Sequence, residues 1–353
     1  MKEDDSFTPA ARFLLVAGSF VLVIAGMHAA SSLIAPFLLA VFIAVIAAPP
    51  MFFLKHWGLP SWAAMLSVTF TIVTIGIVIV ALVSGSVSSF TNNLPMYTDK
   101  LKELALGFND WLQGFGINIP PQALTTWLDA SKALKMAGTL LGGLGNMITN
   151  AFLILLTVIF ILLETSSLPA KLHAALDSPE TSMKRLHSVL DNINRYMVLK
   201  TIISLFTGLV VWFWLWLLGV DFPVLWGLVA FLFNYIPTIG SILAAVPAVL
   251  LALVQLGPQT ALWTAFSYLM VNMVVGNIIE PKIMGRGLGL STLVVFVSLV
   301  FWGWALGPVG MFLSIPLTMA LKIALDANEH TRPIAILLGP EIKETSSKPT
   351  TAV

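Results

Sequence analysis

Apolar residues occur along the chain in long runs, and the lengths of these runs predict membrane-spanning helices. Crossing the hydrocarbon core of a bilayer takes about 20 helical residues. Six runs approach that length and predict spans: residues 13–28, 34–54, 62–83, 147–163, 201–218 and 261–279. Between residues 84 and 146 the pattern changes to short polar–apolar helices interrupted by Gly, Pro (as at Leu94-Pro95) and Asn, which predicts an extramembrane helical segment.

Two further apolar runs are each interrupted in the same way. The first covers residues 222–256 and is broken between Asn234 and Gly240, whereas the second covers residues 290–325 and is broken between Gly307 and Gly310. Each limb is about half to four-fifths of a spanning helix in length. A single Pro or Gly is tolerated in an ordinary span, but short limbs broken at matching places are typical of the substrate site of a transporter. The sequence therefore predicts two broken helical hairpins.

The composition supports a polytopic integral membrane protein. Hydrophobic residues make up 58% of the chain and charged residues only 10%, against about 25% charged in soluble domains. The chain contains no cysteine, which excludes disulfides, thiolate metal sites and thiol catalysis. The net charge of +1 gives no indication of nucleic-acid binding.

The distribution of basic residues predicts the orientation of the chain in the membrane. With a cytoplasmic N-terminus, only four of the 18 basic residues lie outside, namely Lys100, Lys102, Lys132 and Lys135 in the one long outer segment. Both termini are then cytoplasmic. The first hairpin starts from the outside and the second from the inside, so the unit of a span plus a hairpin occurs twice with opposite orientation. This predicts the inverted repeat of a secondary transporter, with two re-entrant hairpins favoured by the short limbs.

Catalytic motifs are absent from the sequence. It contains no G-x-x-x-x-G-K-[ST] phosphate loop, no G-x-S-x-G, no H-E-x-x-H and no histidine pair at ligand spacing. We therefore predict a protein that is not an enzyme, with no cofactor and no metal site.

The polar residues near the breaks are mostly neutral, which suits a small hydroxylated solute better than an organic anion. We expect both hairpin tips to face one shared cavity. No carboxylate lies in the middle of an apolar run, and Glu280 is either an interfacial residue near Lys282 or part of the pathway. Ser, Thr and Asn also join helices to each other. The candidate substrate-pathway residues are Asn234, Tyr235, Pro237, Thr238, Gly240, Asn272, Asn277, Glu280, Ser291, Thr292, Pro308 and Gly310.

Three segments carry a resemblance to a known family: Phe231–Pro247, Gly276–Thr292 and Gly307–Thr318. In these motifs the chain resembles the autoinducer-2 exporter (AI-2E) family of bacterial inner-membrane proteins, although many relatives carry Pro where this chain has Thr292. The resemblance implies export of the quorum-sensing signal autoinducer-2 across the inner membrane. It also implies a homo-oligomer, a pentamer. Some relatives resemble Na+(Li+)/H+ antiporters, so the resemblance leaves the substrate open.

The predicted organisation is all-α, with about six spanning helices, two broken hairpins and five regions. These regions are an N-terminal three-span region (1–83), an extracytoplasmic helical segment (84–146), a span with cytoplasmic amphipathic helices (147–200), the inverted-repeat transport core (201–326) and a cytoplasmic tail (327–353). The predicted function is export of a small neutral polar signal by a secondary or facilitated mechanism. Two alternatives stay open: a cation/proton antiporter that uses Glu280, and a membrane scaffold whose segment 84–146 binds partners.

Overall fold

The computed structural model describes residues 8–116, 139, 150–165, 171, 179–237, 239–284, 289–326 and 329–340. Within these ranges the regular secondary structure is helical and contains no strand, so the all-α prediction is confirmed. The helices are α1 (Pro9–Ala29), α2 (Ser31–His56), α3 (Ser61–Gln113), α4 (Ala151–Glu164), α5 (Pro179–Leu217), α6 (Pro223–Phe233), α7 (Ile239–Leu256), α8 (Pro258–Val271), a π-helix (Asn272–Ile279), α9 (Glu280–Met284), α10 (Thr292–Asp326) and α11 (Arg332–Leu337).

Six of the described helical segments are long and apolar enough to cross a bilayer, which agrees with a polytopic membrane protein. They are Ser31–His56, Ser61–Gln113, Asp191–Leu217, Ile239–Leu256, Pro258–Ile283 and Thr292–Asp326. The number matches the prediction, but the set differs from it. Two of the six lie in the interrupted runs, whereas the expected spans 13–28 and 147–163 correspond to shorter apolar helices.

Helix α3 is longer than the sequence predicted. The expected break at Leu94-Pro95 does not occur: the helix runs for 53 residues and contains Pro95 in its interior. A proline inside a helix removes one backbone hydrogen bond and crowds the carbonyl four residues before it, yet α3 continues through Pro95. Phe90 packs edge-on against Trp226 of α6 at 5.5 Å between ring centroids, so tertiary contact stabilises α3 next to the proline. The other predicted short helices, in residues 117–138 and 140–146, lie outside the described residues, as does the tail beyond residue 340.

The first hairpin consists of α6, the break and α7, and it packs closely on α5. The backbones of α5 and α6 meet at Gly208 and Gly227, where a Cβ on either residue would lie 2.7 or 2.8 Å from the carbonyl oxygen of the other. Such a distance leaves room only for glycine. At the open end of the hairpin, the Asp221 amide donates to Gln255 Oε1 at 3.1 Å, and Gln255 Nε2 donates to the Asp221 carboxylate.

The second hairpin is formed by α10 alone. A straight helix of 35 residues would be about 52 Å long, yet the Lys322 amine donates to the Gly289 carbonyl, which lies just before the helix. Trp302 Nε1 also donates to Thr318 Oγ1 at 3.0 Å. The chain reverses at Gly307, whose φ of 68° and ψ of −150° are non-helical. This helix therefore folds back on itself at the predicted break.

Three clusters of buried apolar residues hold the helices together. One joins α3 to α5, α6, α7 and α8, a second joins α2 and α5 to the two hairpin tips, and a third joins α2, α3 and α4. The outer helix faces expose large apolar side chains, such as Phe70 at 73% and Phe152 at 77%. Such surfaces are stable against lipid, which is as apolar as the side chains themselves.

Candidate functional site

The two hairpin tips are built around glycines with the same contact. A Cβ on Gly240 would lie 1.9 Å from the carbonyl oxygen of Phe233, and a Cβ on Gly310 would lie 1.9 Å from that of Trp302. In both cases the carbonyl belongs to the first limb of the hairpin. The limbs approach so closely that only glycine fits, and this explains why both breaks contain one.

Polar side chains attach the tip of the first hairpin to α5. Asn234 Nδ2 donates to Ser204 Oγ at 2.9 Å, and the Tyr235 hydroxyl donates to Thr201 Oγ1 at 2.7 Å. Thr201 and Ser204 lie one turn apart on the same side of α5, so a single face of this helix binds the tip. Pro237 is half-buried beside them, and Thr238 lies outside the described residues.

Glu280 forms an ion pair with Lys200, at 2.6 Å between Oε1 and Nζ. The Lys200 side chain is only 4% exposed and that of Glu280 is 24% exposed. The interfacial interpretation of the sequence had placed Glu280 near Lys282, and the pathway interpretation had named no partner. Because Lys200 and Thr201 are adjacent in α5, the ion pair lies next to the attachment of the first tip.

The two tips meet through apolar side chains. Tyr235 of the first tip lies against Phe312 of the second hairpin, with ring centroids 4.2 Å apart. Val309 of the second tip is buried in the same cluster. The contact between the described residues of the tips is therefore apolar, where we expected polar groups around a shared cavity. The rings of Tyr235 and Phe312 make this contact, and the shared cavity stays a prediction.

The π-helix carries the two candidate asparagines of the second half. A π-helix turn holds one extra residue and is frequent at functional sites. Asn272, at its start, lines a small cavity together with Asn234. Asn277 is exposed on the outer side of the helix, and Glu280 follows its end and reaches Lys200. The structure thus brings Asn234 and Asn272 together at one cavity. Glu280 is linked to this group indirectly, because its partner Lys200 lies on α5, the helix that also binds Asn234.

The remaining candidates lie apart from this group. Ser291 caps α10, since its Oγ accepts from the Val294 amide at 3.2 Å, and the neighbouring Thr292 is exposed. Both are at the open end of the second hairpin, near the contact between Gly289 and Lys322. Pro308 is exposed at the second tip, next to buried Gly310.

Residues of α5 that bind the tip were missed in the sequence. Lys200, Thr201 and Ser204 stand where a polar stretch gives way to an apolar run, which is typical of any span end. Lys200 and Thr201 each lie about one helical turn before Ser204, and this spacing was the signal that could have found them. Tyr268 was missed as well, and its hydroxyl is buried beside the cavity lined by Asn234 and Asn272.

Comparison with known proteins gives matches along nearly the whole chain. Residues 18–329 match the model of the family described as AI-2E family transporter. The chain is 42% identical over 334 residues to "AI-2 transport protein TqsA" of Escherichia coli (strain K12), covering 94% of this chain and 97% of that protein. It is 36% identical over 327 residues to "Putative transport protein YhhT" of the same strain, covering 93% and 94%. A "Putative transport protein" of Haemophilus influenzae is 37% identical over 334 residues, covering 93% and 96%.

Proposed function

The chain belongs to the AI-2E family of transporters, and we propose that it exports autoinducer-2, a small neutral polar solute, by a secondary or facilitated mechanism. The similar protein of Escherichia coli is named an AI-2 transport protein. The observation that carries the proposal for this chain is the chemistry around the first tip. Its hydrogen-bonding groups are amides and hydroxyls, and the charges of Lys200 and Glu280 neutralise each other.

The pairing of the two charges bears on the class of solute. A transporter for an organic anion directs positive charge at the solute, from helix N-termini or from basic side chains. Lys200 is buried and already bound to Glu280. Amides such as those of Asn234 and Asn272 instead offer both a donor and an acceptor, which is the complement of a hydroxyl group.

A cation/proton antiporter is the second candidate, because the structure contains a buried lysine–carboxylate pair in candidate spans. Intramembrane ionisable pairs are common in proton relays. In that mechanism Glu280 would exchange its bond to Lys200 for a proton or a cation during each cycle.

Reconstitution into proteoliposomes tests both functions. Purified full-length protein is placed in vesicles, and flux of labelled autoinducer-2 is measured with and without imposed proton and sodium gradients. We expect saturable flux above that of protein-free vesicles, and no flux of a small organic anion of similar size. Sodium-dependent proton flux with no autoinducer-2 flux would overturn the proposal in favour of the antiporter.

The same proposal includes the location and assembly of the protein. It is a multi-pass membrane protein, which we place in the bacterial inner membrane with both termini in the cytoplasm, as the basic residues indicate. Asn277 is exposed on a candidate span. Because amides in contact with lipid are costly, contact with another copy in a homo-oligomer, a pentamer, would cover it. Fusions of a reporter to each terminus and the mass of the protein in nanodiscs test these two points.

A further inference from the structure

A small cavity with both apolar and polar lining lies between the first hairpin, α5 and the segment formed by α8 and the π-helix. Its volume is about 20 Å³, enough for about one water molecule. Polar side chains from all three surrounding elements line it: Thr207, Asn234, Ser241, Tyr268 and Asn272. The described residues around this cavity carry no charged group, so it suits a neutral occupant.

Within the part of the chain that the structure describes, the hydroxyl of Tyr268 lacks a hydrogen-bond partner, which an occupant of the cavity could supply. Tyr268 is 6% exposed, and among the described residues its oxygen has no hydrogen-bond partner. Buried polar groups in native proteins are nearly always hydrogen-bonded, to ordered water where protein groups are out of reach. A group inside the cavity would satisfy this hydroxyl.

Two asparagines supply the other side of the site. Asn234 donates its amide hydrogen to Ser204, which turns its carbonyl oxygen away from Ser204 and leaves it to act as an acceptor. Asn272 lines the cavity and is itself exposed, so the cavity opens to the surface there. A Cβ on Gly276, which also lines the cavity, would lie 3.3 Å from Asn272 Oδ1. The glycine therefore leaves room for the Asn272 side chain.

We propose that this cavity is a binding site for a single neutral hydroxyl group. Tyr268 and Asn234 together offer a donor and an acceptor, which a hydroxyl can satisfy at the same time. The hydroxyl belongs either to a water molecule or to one hydroxyl of the transported solute, whose remaining atoms would extend past Asn272. Assigning the hydroxyl to the solute rests on the proposed transport function, whereas assigning it to water does not.

Two buried hydroxyls on α8 provide a matched pair of variants. Thr264 lies one turn before Tyr268, is also buried and also has no partner among the described residues, but it does not line the cavity. Removing an unpartnered buried hydroxyl is neutral or stabilising, whereas removing one that binds an ordered group is costly. We expect Tyr268→Phe to lower the unfolding midpoint of the full-length protein in nanodiscs and Thr264→Val to leave it unchanged or raise it.

Transport kinetics then identify the source of the hydroxyl. If it belongs to the solute, Tyr268→Phe should raise the KM for autoinducer-2 about threefold to tenfold with little change in kcat, and Thr264→Val should not. A lowered midpoint with an unchanged KM assigns the site to water. Equal midpoints for Tyr268→Phe and wild type together with an unchanged KM would overturn the site altogether, as would equal midpoints if the wild type transports no autoinducer-2.

Discussion

The two hairpins share a backbone design but differ in the chemistry of their tips. Gly240 and Gly310 each lie against a carbonyl of the preceding limb. The first tip then adds hydrogen bonds from Asn234 and Tyr235 to α5, whereas the second adds Val309 to an apolar cluster. The same turn can therefore present a polar surface or serve only as packing. Of the two tips, the first is therefore the one that carries candidate binding groups.

The largest expected effect tests the shared backbone design. Gly240→Ala and Gly310→Ala each place a Cβ 1.9 Å from a backbone carbonyl, so we expect both to lose more than about 4 kcal/mol of stability. Gly76→Ala is the control, because nothing lies within 4 Å of its added Cβ. The measurement is the yield of monodisperse protein and its unfolding midpoint. Normal stability of Gly310→Ala would show that the second tip is not built like the first.

The next effect concerns the ion pair that links the helix before the first hairpin to the segment before the second. Glu280→Gln leaves Lys200 buried without its partner, which costs about 3–5 kcal/mol. The double variant Lys200→Met/Glu280→Leu removes both charges and should recover most of the midpoint. Loss of activity in Glu280→Gln alone is therefore expected on structural grounds.

The double variant also separates the two functions. If it is stable and still transports autoinducer-2, the pair is structural and the exporter is supported. If it is stable but has lost a sodium-dependent proton flux that the wild type shows, the pair carries the coupling ion and the antiporter is correct.

A smaller effect distinguishes the polar tip from the apolar tip. We expect Asn234→Ala to reduce transport about fivefold at subsaturating solute, since one neutral hydrogen bond contributes about 1 kcal/mol. Pro308→Ala, at the exposed second tip, should change transport much less. Ser204→Ala removes the same protein hydrogen bond as Asn234→Ala. Equal losses in Asn234→Ala and Ser204→Ala would assign the asparagine to helix packing instead.

The smallest effect lies at the open end of the second hairpin. Ser291 caps α10, so Ser291→Ala should cost about 1 kcal/mol of stability and leave transport unchanged. Thr292→Ala is the adjacent control, since Thr292 is exposed at the start of the helix. A transport defect in Ser291→Ala with normal stability would return this residue to the pathway.

Much of the fold was predictable because a bilayer imposes simple length and polarity rules on a chain. The apolar runs predicted an all-α polytopic protein, and the breaks at 234–240 and 307–310 coincide with the two chain reversals. The end of α3 was not predictable in this way. Pro95 is an ordinary helix breaker in sequence, but the packing of Phe90 against Trp226 keeps the helix intact around it.

The candidate site also has features that the sequence predicts and features that depend on tertiary packing. The residues that are polar near the breaks, and the presence of glycine in both breaks, can be read from the sequence because they are matters of composition. The close contact that makes these glycines necessary, and the partners of the polar groups, required the folded structure: Lys200 for Glu280, Ser204 for Asn234, and Tyr268 beside the cavity. These partners lie 30 to 80 positions apart along the chain. Such pairs depend on how the helices pack against each other, and the length of an apolar run gives no information about this packing.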